Sequence, residues 1–181
     1  MIFFMLFDFT FLVSLFVFIL PAYVANSVPV IFGGGVPLDF NRNFSDGRRI
    51  FGEGKTLRGF ASGVLLGTLF GFLLSPNTRL FGLSPQGFLT VSFLLSFGAL
   101  TGDAAGSFVK RRVGLSHGQQ YLFVDQLFFL LFALLFAFAF KPELLSEIGV
   151  LGVVVLTLFT LVLHVSFNLL AHKYKFKKVP W

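Results

Sequence analysis

Cysteine is absent from this chain of 181 residues, and tryptophan and tyrosine occur only once and three times. Without cysteine the protein has no disulfide framework, no thiolate metal site and no cysteine nucleophile. Charged residues are also scarce, at 12% of the sequence, against roughly 25% in soluble domains. This scarcity excludes a cytosolic globular domain, a disordered tail and a nucleic-acid-binding protein. With one tryptophan and three tyrosines, the aromatic belts that usually mark membrane interfaces give little help in locating them here.

Hydrophobic residues, in contrast, make up 56% of the chain, with 29 phenylalanines and a mean hydropathy of +0.88. A soluble domain of this length cannot bury so much apolar surface, because more than half of a globule's surface is already apolar. The composition therefore predicts an all-α polytopic membrane helix bundle surrounded by lipid. The net charge of +6 then belongs to loops at the membrane surface and does not indicate nucleic-acid binding.

Five continuous apolar stretches are candidates for crossing the membrane. A helix needs about 20 apolar residues to span roughly 30 Å of hydrocarbon. The first stretch lacks a basic leading segment and is too long for a signal peptide, so we expect a retained span. The whole chain, residues 1–181, is predicted to form one membrane domain. The five predicted transmembrane helices cover residues 2–24, 57–74, 87–101, 121–140 and 148–170, the third being the shortest.

Basic residues are distributed unevenly between the two sides of the predicted bundle. With five spans, two long loops and the C-terminal tail share one side and carry twelve of the fourteen lysines and arginines. The opposite side has only Arg79 and Lys141. Because basic loops stay in the cytoplasm, we expect the N-terminus outside the cell membrane and the C-terminus inside. The two long loops, rich in glycine and mixed charge, place the expected active site on the cytoplasmic face.

The second long loop follows the third span and contains regularly spaced polar residues. If the third helix continues through it, one helix face carries Asp103, Ser107, Lys110 and Arg111. A further acid, Asp125, lies about one turn into the fourth apolar stretch. A short antiparallel connection brings these two helix ends side by side. The two carboxylates are therefore expected to converge.

Two converging carboxylates suit Mg²⁺ that carries phosphates, because this ion uses one or two protein carboxylates and takes its other oxygens from water and phosphate. An ionised aspartate in an apolar span also normally faces protein or a cavity. The alternative is structural, with Asp125 paired to Arg111 or Arg112 to hold two helices together. The residues favour metal or phosphate chemistry but leave both readings open.

The first long loop combines glycines with acids and five cations. Its Gly-Lys-Thr sequence at 54–56 invites comparison with a nucleotide P-loop, but Arg49 stands where that motif requires glycine. We therefore reject a Walker site and expect a looser anion cradle of backbone amides and cations beside a helix N-terminus. Membrane topology alone would account for about half of the cations. The five are Arg42, Arg48, Arg49, Lys55 and Arg58.

Other polar residues give weaker indications. His164, Asn168 and His172 recur every four residues along the fifth span, which favours hydrogen bonds between helices over a proton path. His117, beside Gly118, could contact a phosphate, but a single histidine in a loop is weak support for such a role. The tail, with lysines at 173, 175, 177 and 178, is expected to lie on anionic membrane lipids.

The motifs of the second loop resemble the pattern of the CTP-dependent cytidylyltransferases of membrane lipids, the CDP-diacylglycerol synthase group. The bacterial pattern differs in the connection after Arg112, where this chain has no His-Gly-Gly element and has Ser116-His117 in place of a Lys-Asp pair. The matching residues are Gly102-Asp103, Ser107, Lys110-Arg111 and Asp125-Gln126.

The first loop and the short five-span form are similar to the archaeal branch of that group, the CDP-archaeol synthases. Three elements carry this part of the resemblance. They are Pro-Leu-Asp at 37–39, Asp-Gly-Arg-Arg at 46–49 and Gly-Glu-Gly-Lys-Thr-Leu-Arg-Gly at 52–59.

The resemblance implies a Mg²⁺-dependent transfer of a cytidylyl group from CTP to an isoprenoid ether-lipid phosphate, 2,3-bis-O-geranylgeranylglycerol 1-phosphate, giving CDP-archaeol and pyrophosphate. It implies that Asp103 and Asp125 hold Mg²⁺, with Ser107 supplying or orienting an oxygen. Lys110 and Arg111 would stabilise pyrophosphate or grip the lipid phosphate. Residues implied in binding or closing over the nucleotide are Asp39, Asp46, Arg48, Arg49, Lys55, Thr56 and Arg58.

Two other functions remain open from the residues. A small transporter or channel would use the buried acids as an ion path, but the polar residues gather at one membrane face and no inverted repeat is evident. A CDP-alcohol phosphotransferase would carry a denser cluster of acids than this chain has. A purely structural subunit is disfavoured by the length and mixed charge of the inner loops. The oligomeric state is left undetermined.

Overall fold

The computed structural model describes residues 8–75, 80–116, 119, 121 and 124–174, apart from the side chains of 125, 126, 164, 167, 168 and 170–172. Within these residues the regular structure is helical, with only two isolated antiparallel bridges, Pro37 to Thr56 and Asn43 to Arg49. A single turn of 3₁₀ helix occupies Leu80–Gly82. The helices are α1 (Phe9–Ser27), α2 (Pro29–Phe32), α3 (Leu57–Leu74), α4 (Pro85–Arg112), α5 (Val124–Phe140) and α6 (Glu143–Lys173).

Among the described residues, four helical segments are long and apolar enough to cross a membrane. They are Phe9–Phe32, Leu57–Leu74, Pro85–Arg112 and Glu143–Leu163, and the apolar segment Leu127–Phe140 of α5 is shorter. The predicted all-α polytopic membrane bundle is therefore confirmed. At 17 residues, α5 is about 25 Å long, so it approaches the thickness of the hydrocarbon layer only over its full length.

The predicted second span of 57–74 coincides with α3, whereas the other helices begin or end at residues that the predicted spans did not mark. The Asp8 side chain caps α1 by accepting a hydrogen bond from the Thr10 backbone N–H at 2.9 Å. The predicted third span of 87–101 is part of a 28-residue helix that continues to Arg112, as the spacing of polar residues suggested. Its last turn carries three basic residues, which complement the negative end of the helix dipole. In α6, Gly149 adopts φ 67° and interrupts regular helix geometry near the start.

The centre of the bundle is α4, which packs against α1, α3 and α5. The packing face of α3 consists of Gly59, Gly63, Gly67 and Gly71, all buried. Small residues let helix backbones approach closely in a membrane, where apolar burial alone does not drive helices together. A polar contact adds to this packing, because Tyr23 of α1 and Thr160 of α6 share a hydrogen bond of 2.7 Å.

Candidate active site at the ends of α3 and α4

The candidate site lies where the loop of residues 33–56 (loop 1) meets the start of α3 and the second half of α4. Thr56 caps α3, since its Oγ1 accepts a hydrogen bond from the Gly59 backbone N–H at 3.1 Å. Backbone hydrogen bonds from Leu38 N–H to the Lys55 carbonyl (2.7 Å) and from Leu57 N–H to the Val36 carbonyl (3.0 Å) close the two ends of loop 1. This closure presents Lys55 to α4.

Lys55 and Asp103 form an ion pair between loop 1 and α4. Their side chains are 25% and 30% exposed, so the pair is reachable from solvent. Both residues line a cavity of about 30 Å³, and a water needs roughly 10–15 Å³, so there is room for a small ion or water. The other lining residues are Pro29, Leu38, Gly54, Thr56, Gly59, Phe60 and Leu100.

The carboxylate of Asp39 organises the interior of loop 1. Its side chain is fully buried and accepts hydrogen bonds from Arg49 Nε (3.1 Å) and Nη2 (2.5 Å). Backbone N–H groups of Asn41, Phe51 and Gly52 donate to the same carboxylate. Burial alone would raise the pKa of Asp39, but the Arg49 guanidinium and the three N–H donors together hold this pKa well below its usual range.

The pairing of Asp39 with Arg49 engages two residues that the sequence assigned to nucleotide binding. The carboxylate in turn raises the pKa of the Arg49 guanidinium, so both groups are charged at physiological pH. Their mutual hydrogen bonds direct both side chains into loop 1. The contacts of Asp39 and Arg49 therefore indicate that these two residues stabilise the conformation of loop 1.

A second contact joins loop 1 to the C-terminal end of α4. Arg48 Nη1 donates to the backbone carbonyls of Arg111 (3.2 Å) and Arg112 (2.7 Å). In return, Arg112 Nη2 donates to the carbonyls of Arg49 (2.5 Å) and Arg48 (3.4 Å). Arg112 Nη1 also lies 3.0 Å from Asp46 Oδ1. Arg112 was outside the predicted site, and the run of three bases at 110–112 was the only sign of it in the sequence.

Ser107, Lys110 and Arg111 follow Asp103 along α4, as the helical spacing predicted. Ser107 is buried, and Lys110 Nζ lies 3.5 Å from the Gln119 carbonyl. Arg111 donates from Nη1 to the Leu115 carbonyl, while its buried Nε has no hydrogen-bond partner among the described residues. A Cβ added at Gly52 would lie 3.5 Å from this Nε. The side chain of Arg111 therefore faces the backbone of loop 1.

Two predicted site residues, Arg58 and Asp125, remain to be placed. Arg58 lies exposed in the first turn of α3. Asp125 belongs to the first turn of α5, but its side chain is outside the described residues, as are His117 and the side chains of His164, Asn168 and His172. The convergence of Asp103 with Asp125 therefore stays a prediction.

The backbone at the start of α5 nevertheless packs beside the second half of α4. A Cβ added at Gly106 would lie 3.3 Å from Val124 Cγ1 and 3.5 Å from the Val124 carbonyl oxygen. Val124 immediately precedes Asp125, and Gly106 follows Asp103 by one helical turn. The turn of α5 that carries Asp125 is thus close to the part of α4 that carries the candidate site.

The donor set at the site is compatible with a hard divalent cation. The described residues contain no group of three or more His, Cys, Asp or Glu side chains that could hold a metal ion. Mg²⁺ does not require one, since it is commonly held by one or two carboxylates together with water and phosphate oxygens. Asp103 supplies one such carboxylate at the cavity wall, where it is paired with the Lys55 ammonium.

A comparison with protein-family models decides the family. The model described as CarS-like CDP-archaeol synthase matches residues 6–181. The chain belongs to this family. The resemblance identified from the motifs of the two loops is confirmed, and with it the expectation that the protein is an enzyme of the CTP-dependent nucleotidyltransferase class.

Curated CDP-archaeol synthases match almost the whole chain. The synthase of Archaeoglobus fulgidus is 44% identical over 172 residues, covering 90% of this chain and 94% of its own. That of Pyrococcus horikoshii is 43% identical over 174 residues, covering 94% and 97%. The Pyrococcus furiosus synthase is 46% identical over 167 residues, covering 91% and 95%.

A solved structure has the same fold. It is described as an intramembrane enzyme for archaeal membrane lipids biosynthesis, and it matches with a TM-score of 0.70 and 35% sequence identity. The match covers 84% of this chain and 90% of that one. Like its family, the present chain is a multi-pass membrane protein with helices that cross the bilayer.

Proposed function

We propose that this chain transfers a cytidylyl group from CTP to 2,3-bis-O-geranylgeranylglycerol 1-phosphate in a Mg²⁺-dependent reaction. A phosphate oxygen of the lipid forms a bond to the α-phosphorus of CTP, and the bond between the α- and β-phosphates breaks. The products are CDP-archaeol and pyrophosphate. The observation that supports this most directly is the Lys55–Asp103 pair, which joins the two family motifs at one cavity.

The physical difficulty of this reaction is that two polyanions must approach each other. Phosphoryl transfer needs little covalent participation from the protein, and catalysis consists mostly of positioning and charge stabilisation. Lys55 on loop 1 supplies positive charge at the cavity. Arg111 supplies a second positive charge where α4 faces Gly52 of loop 1, and its buried Nε has no hydrogen-bond partner in the part of the chain that the structure describes. Lys110, on the same helix, would bind the lipid phosphate or the leaving pyrophosphate.

Asp103 and Asp125 would hold Mg²⁺, with Ser107 providing or orienting a further oxygen. When bound, Mg²⁺ neutralises charge on the triphosphate. The Lys55 ammonium is paired with the Asp103 carboxylate. With a divalent cation on that carboxylate, we propose that Lys55 turns to a phosphate of CTP, which its flexible stem allows.

The site is proposed to face the cytoplasm. Support comes from the charge distribution, since both loops of the site belong to the side predicted to carry twelve of the fourteen basic residues. The ether-lipid phosphate would reach it from the inner leaflet with its isoprenoid chains in the bilayer. Loop 1, through Thr56 and Arg58 at the start of α3, would supply further contacts to the nucleotide.

A reconstituted assay tests this function. Purified protein in detergent micelles is incubated with labelled CTP, Mg²⁺ and the ether-lipid phosphate, and the product masses are read directly. We expect CDP-archaeol with an equal amount of pyrophosphate, and no turnover after Mg²⁺ is removed by a chelator. Release of CMP instead would contradict the proposal and indicate a phosphotransferase.

The role of Asp103 is tested by Asp103→Asn, which keeps the shape of the side chain and removes its charge. We expect kcat to fall by about 100-fold or more, because a charge that orients the reacting phosphates is lost. Glu143→Gln, an acid-to-amide change in the first turn of α6, is the matched control and should leave kcat unchanged. Near-normal activity of Asp103→Asn would overturn the metal assignment.

A further inference from the structure

The contact between loop 1 and the end of α4 has a reciprocal form. Arg48 donates to carbonyls at Arg111 and Arg112, and Arg112 donates to carbonyls at Arg48 and Arg49. Each guanidinium therefore binds the backbone that carries the other. We call this arrangement, with Asp46, Phe44 and Phe108 around it, the arginine clasp.

The aromatic and acidic residues of the clasp hold the guanidinium of Arg112 in place. Its Cζ lies 4.9 Å from the ring centroid of Phe44 and 4.8 Å from that of Phe108. The two rings pack edge to face with centroids 5.3 Å apart. Asp46 offsets the positive charge at 3.0 Å. Cation–π contacts and a carboxylate together stabilise a charge that would otherwise be repelled by the neighbouring arginines.

The turn that enters the clasp is itself well defined. Phe44 N–H donates to the Arg48 carbonyl at 2.7 Å, and Arg48 N–H donates to Asp46 Oδ1 at 3.0 Å. On the other side, the last carbonyls of a helix lack partners within it, and the Arg111 carbonyl accepts from the Gly114 backbone N–H at 3.2 Å. Arg48 adds a second donor to the Arg111 carbonyl and donates to the Arg112 carbonyl. Both partners of the clasp thus gain hydrogen bonds that neither makes alone.

We propose that the clasp positions loop 1 for catalysis, with Arg48, Arg112 and Asp46 acting as positioning residues that do not touch CTP. The clasp fixes the backbone at Arg49, and the buried Asp39 ties Arg49 to Gly52. Lys55 N–H then donates to the Gly52 carbonyl at 3.4 Å. Through these steps the end of α4 determines where Lys55 meets Asp103. This inference rests on the proposed function and reassigns Arg48 and Asp46 from nucleotide binding to loop docking.

A lysine substitution separates docking from phosphate binding. A residue that binds phosphate keeps part of its function in Arg→Lys, since lysine still binds phosphate as a point charge. The clasp should not retain its function in Arg112→Lys, because it needs the planar guanidinium of Arg112. This group donates to two backbone carbonyls and lies over the rings of Phe44 and Phe108. We expect Arg112→Lys and Arg112→Met to lower kcat about 100-fold alike, with the CTP concentration at half-maximal rate nearly unchanged. A lysine variant with normal kcat would overturn the clasp.

A covalent substitute for the clasp provides the decisive test. The parent chain has no cysteine, so Phe44→Cys and Phe108→Cys together introduce one defined thiol pair. A short bis-methanethiosulfonate reagent links the pair, and a reductant releases it. In the Arg112→Met background we expect linking to restore most of the lost kcat and reduction to abolish it again. Linked protein that stays inactive would show that Arg112 contacts substrate. Failure to link the thiol pair in the chain that keeps Arg112 would show that loop 1 is not docked there.

Two controls make the outcome independent of the assumed reaction. The variant that carries Phe44→Cys and Phe108→Cys but keeps Arg112 should remain active after its thiols are linked. Loss of its activity on linking would mean that loop 1 must leave α4 during turnover, contrary to the proposal. Trypsin cleavage within loop 1 should be faster in Arg112→Met than in the parent and slow again on linking. The cleavage rates test docking without any turnover, so a parent chain that fails to consume CTP counts against the proposed function alone.

Discussion

The carboxylate of Asp39 accepts five hydrogen bonds inside loop 1, two from Arg49 and three from backbone N–H groups. A buried charge is stable only when it is paired and hydrogen-bonded. Both conditions are met here by groups of loop 1 itself. The bonds at this one residue explain how a loop with many glycines keeps a defined shape beside α4.

Asp39→Asn tests this role at the residue scale. The variant leaves Arg49 without its counter-charge and replaces one acceptor oxygen by a donor that faces N–H groups. Leaving such groups unsatisfied costs about 1–3 kcal/mol. We expect faster trypsin cleavage within loop 1 and lower activity, while circular dichroism shows unchanged helix content. Wild-type cleavage rates would mean that Asp39 does not hold the loop. Glu53→Gln, an exposed change in the same loop, is the control.

The same carboxylate predicts a pH dependence. Because folding lowers the pKa of Asp39, its stabilising effect is fully present above the unfolded pKa of about 4. It is lost progressively as the pH falls below that value. Cleavage of loop 1 by an acid-active protease should therefore accelerate below about pH 4 in the parent and change less in Asp39→Asn. Equal acceleration in the two proteins would contradict the assignment.

At the scale of the helix, the glycine face of α3 sets how closely it approaches α1 and α4. A Cβ added at Gly67 would lie 2.7 Å from the Pro21 carbonyl oxygen and 2.9 Å from the Ala25 Cβ. Alanine is the better helix former by about 1 kcal/mol. In this position, however, backbone atoms of α1 must shift, and overpacking typically costs about 1–3 kcal/mol.

We therefore expect Gly67→Ala to lower thermal stability in detergent. In proteins of this size Tm falls by about 2–4 °C per kcal/mol, and thermal melts followed by circular dichroism would measure the change. Gly87→Ala is the matched control, because its Cβ would meet only the Ser84 Oγ at 3.3 Å and a leucine methyl. A stabilised Gly67→Ala variant would show that α1 and α3 are not in close contact in the micelle.

At the scale of the whole molecule, charge asymmetry predicts the orientation of the bundle. Loop 1 should be cytoplasmic, and the turn between α5 and α6 should lie outside. In the cysteine-free chain, Ser45→Cys and Ser146→Cys each introduce one exposed thiol. A membrane-impermeant maleimide applied to intact cells should label Ser146→Cys at once and Ser45→Cys only after lysis. The reverse order would invert the predicted topology.

Local composition by itself determined the membrane class, the helical architecture and the polar face of α4. Apolar runs of helix length have one stable form in lipid, because every backbone polar group must be satisfied within the segment. The spacing of Asp103, Ser107 and Arg111 likewise placed them on one face before any fold was known. Family motifs in two loops then pointed to the chemistry, and the comparisons confirmed the family.

Only the tertiary structure decided which charges pair with which. In the sequence, Lys55 and Asp103 are 48 positions apart, and Arg48 and Arg112 are 64 apart. Positive-inside topology places many bases in the same loops, so residue type alone cannot separate cations that meet a substrate from cations that hold backbone carbonyls. That distinction depends on where the loop closes against the helix end. Burial of Asp39 and the approach of Arg112 to Asp46 are consequences of that closure.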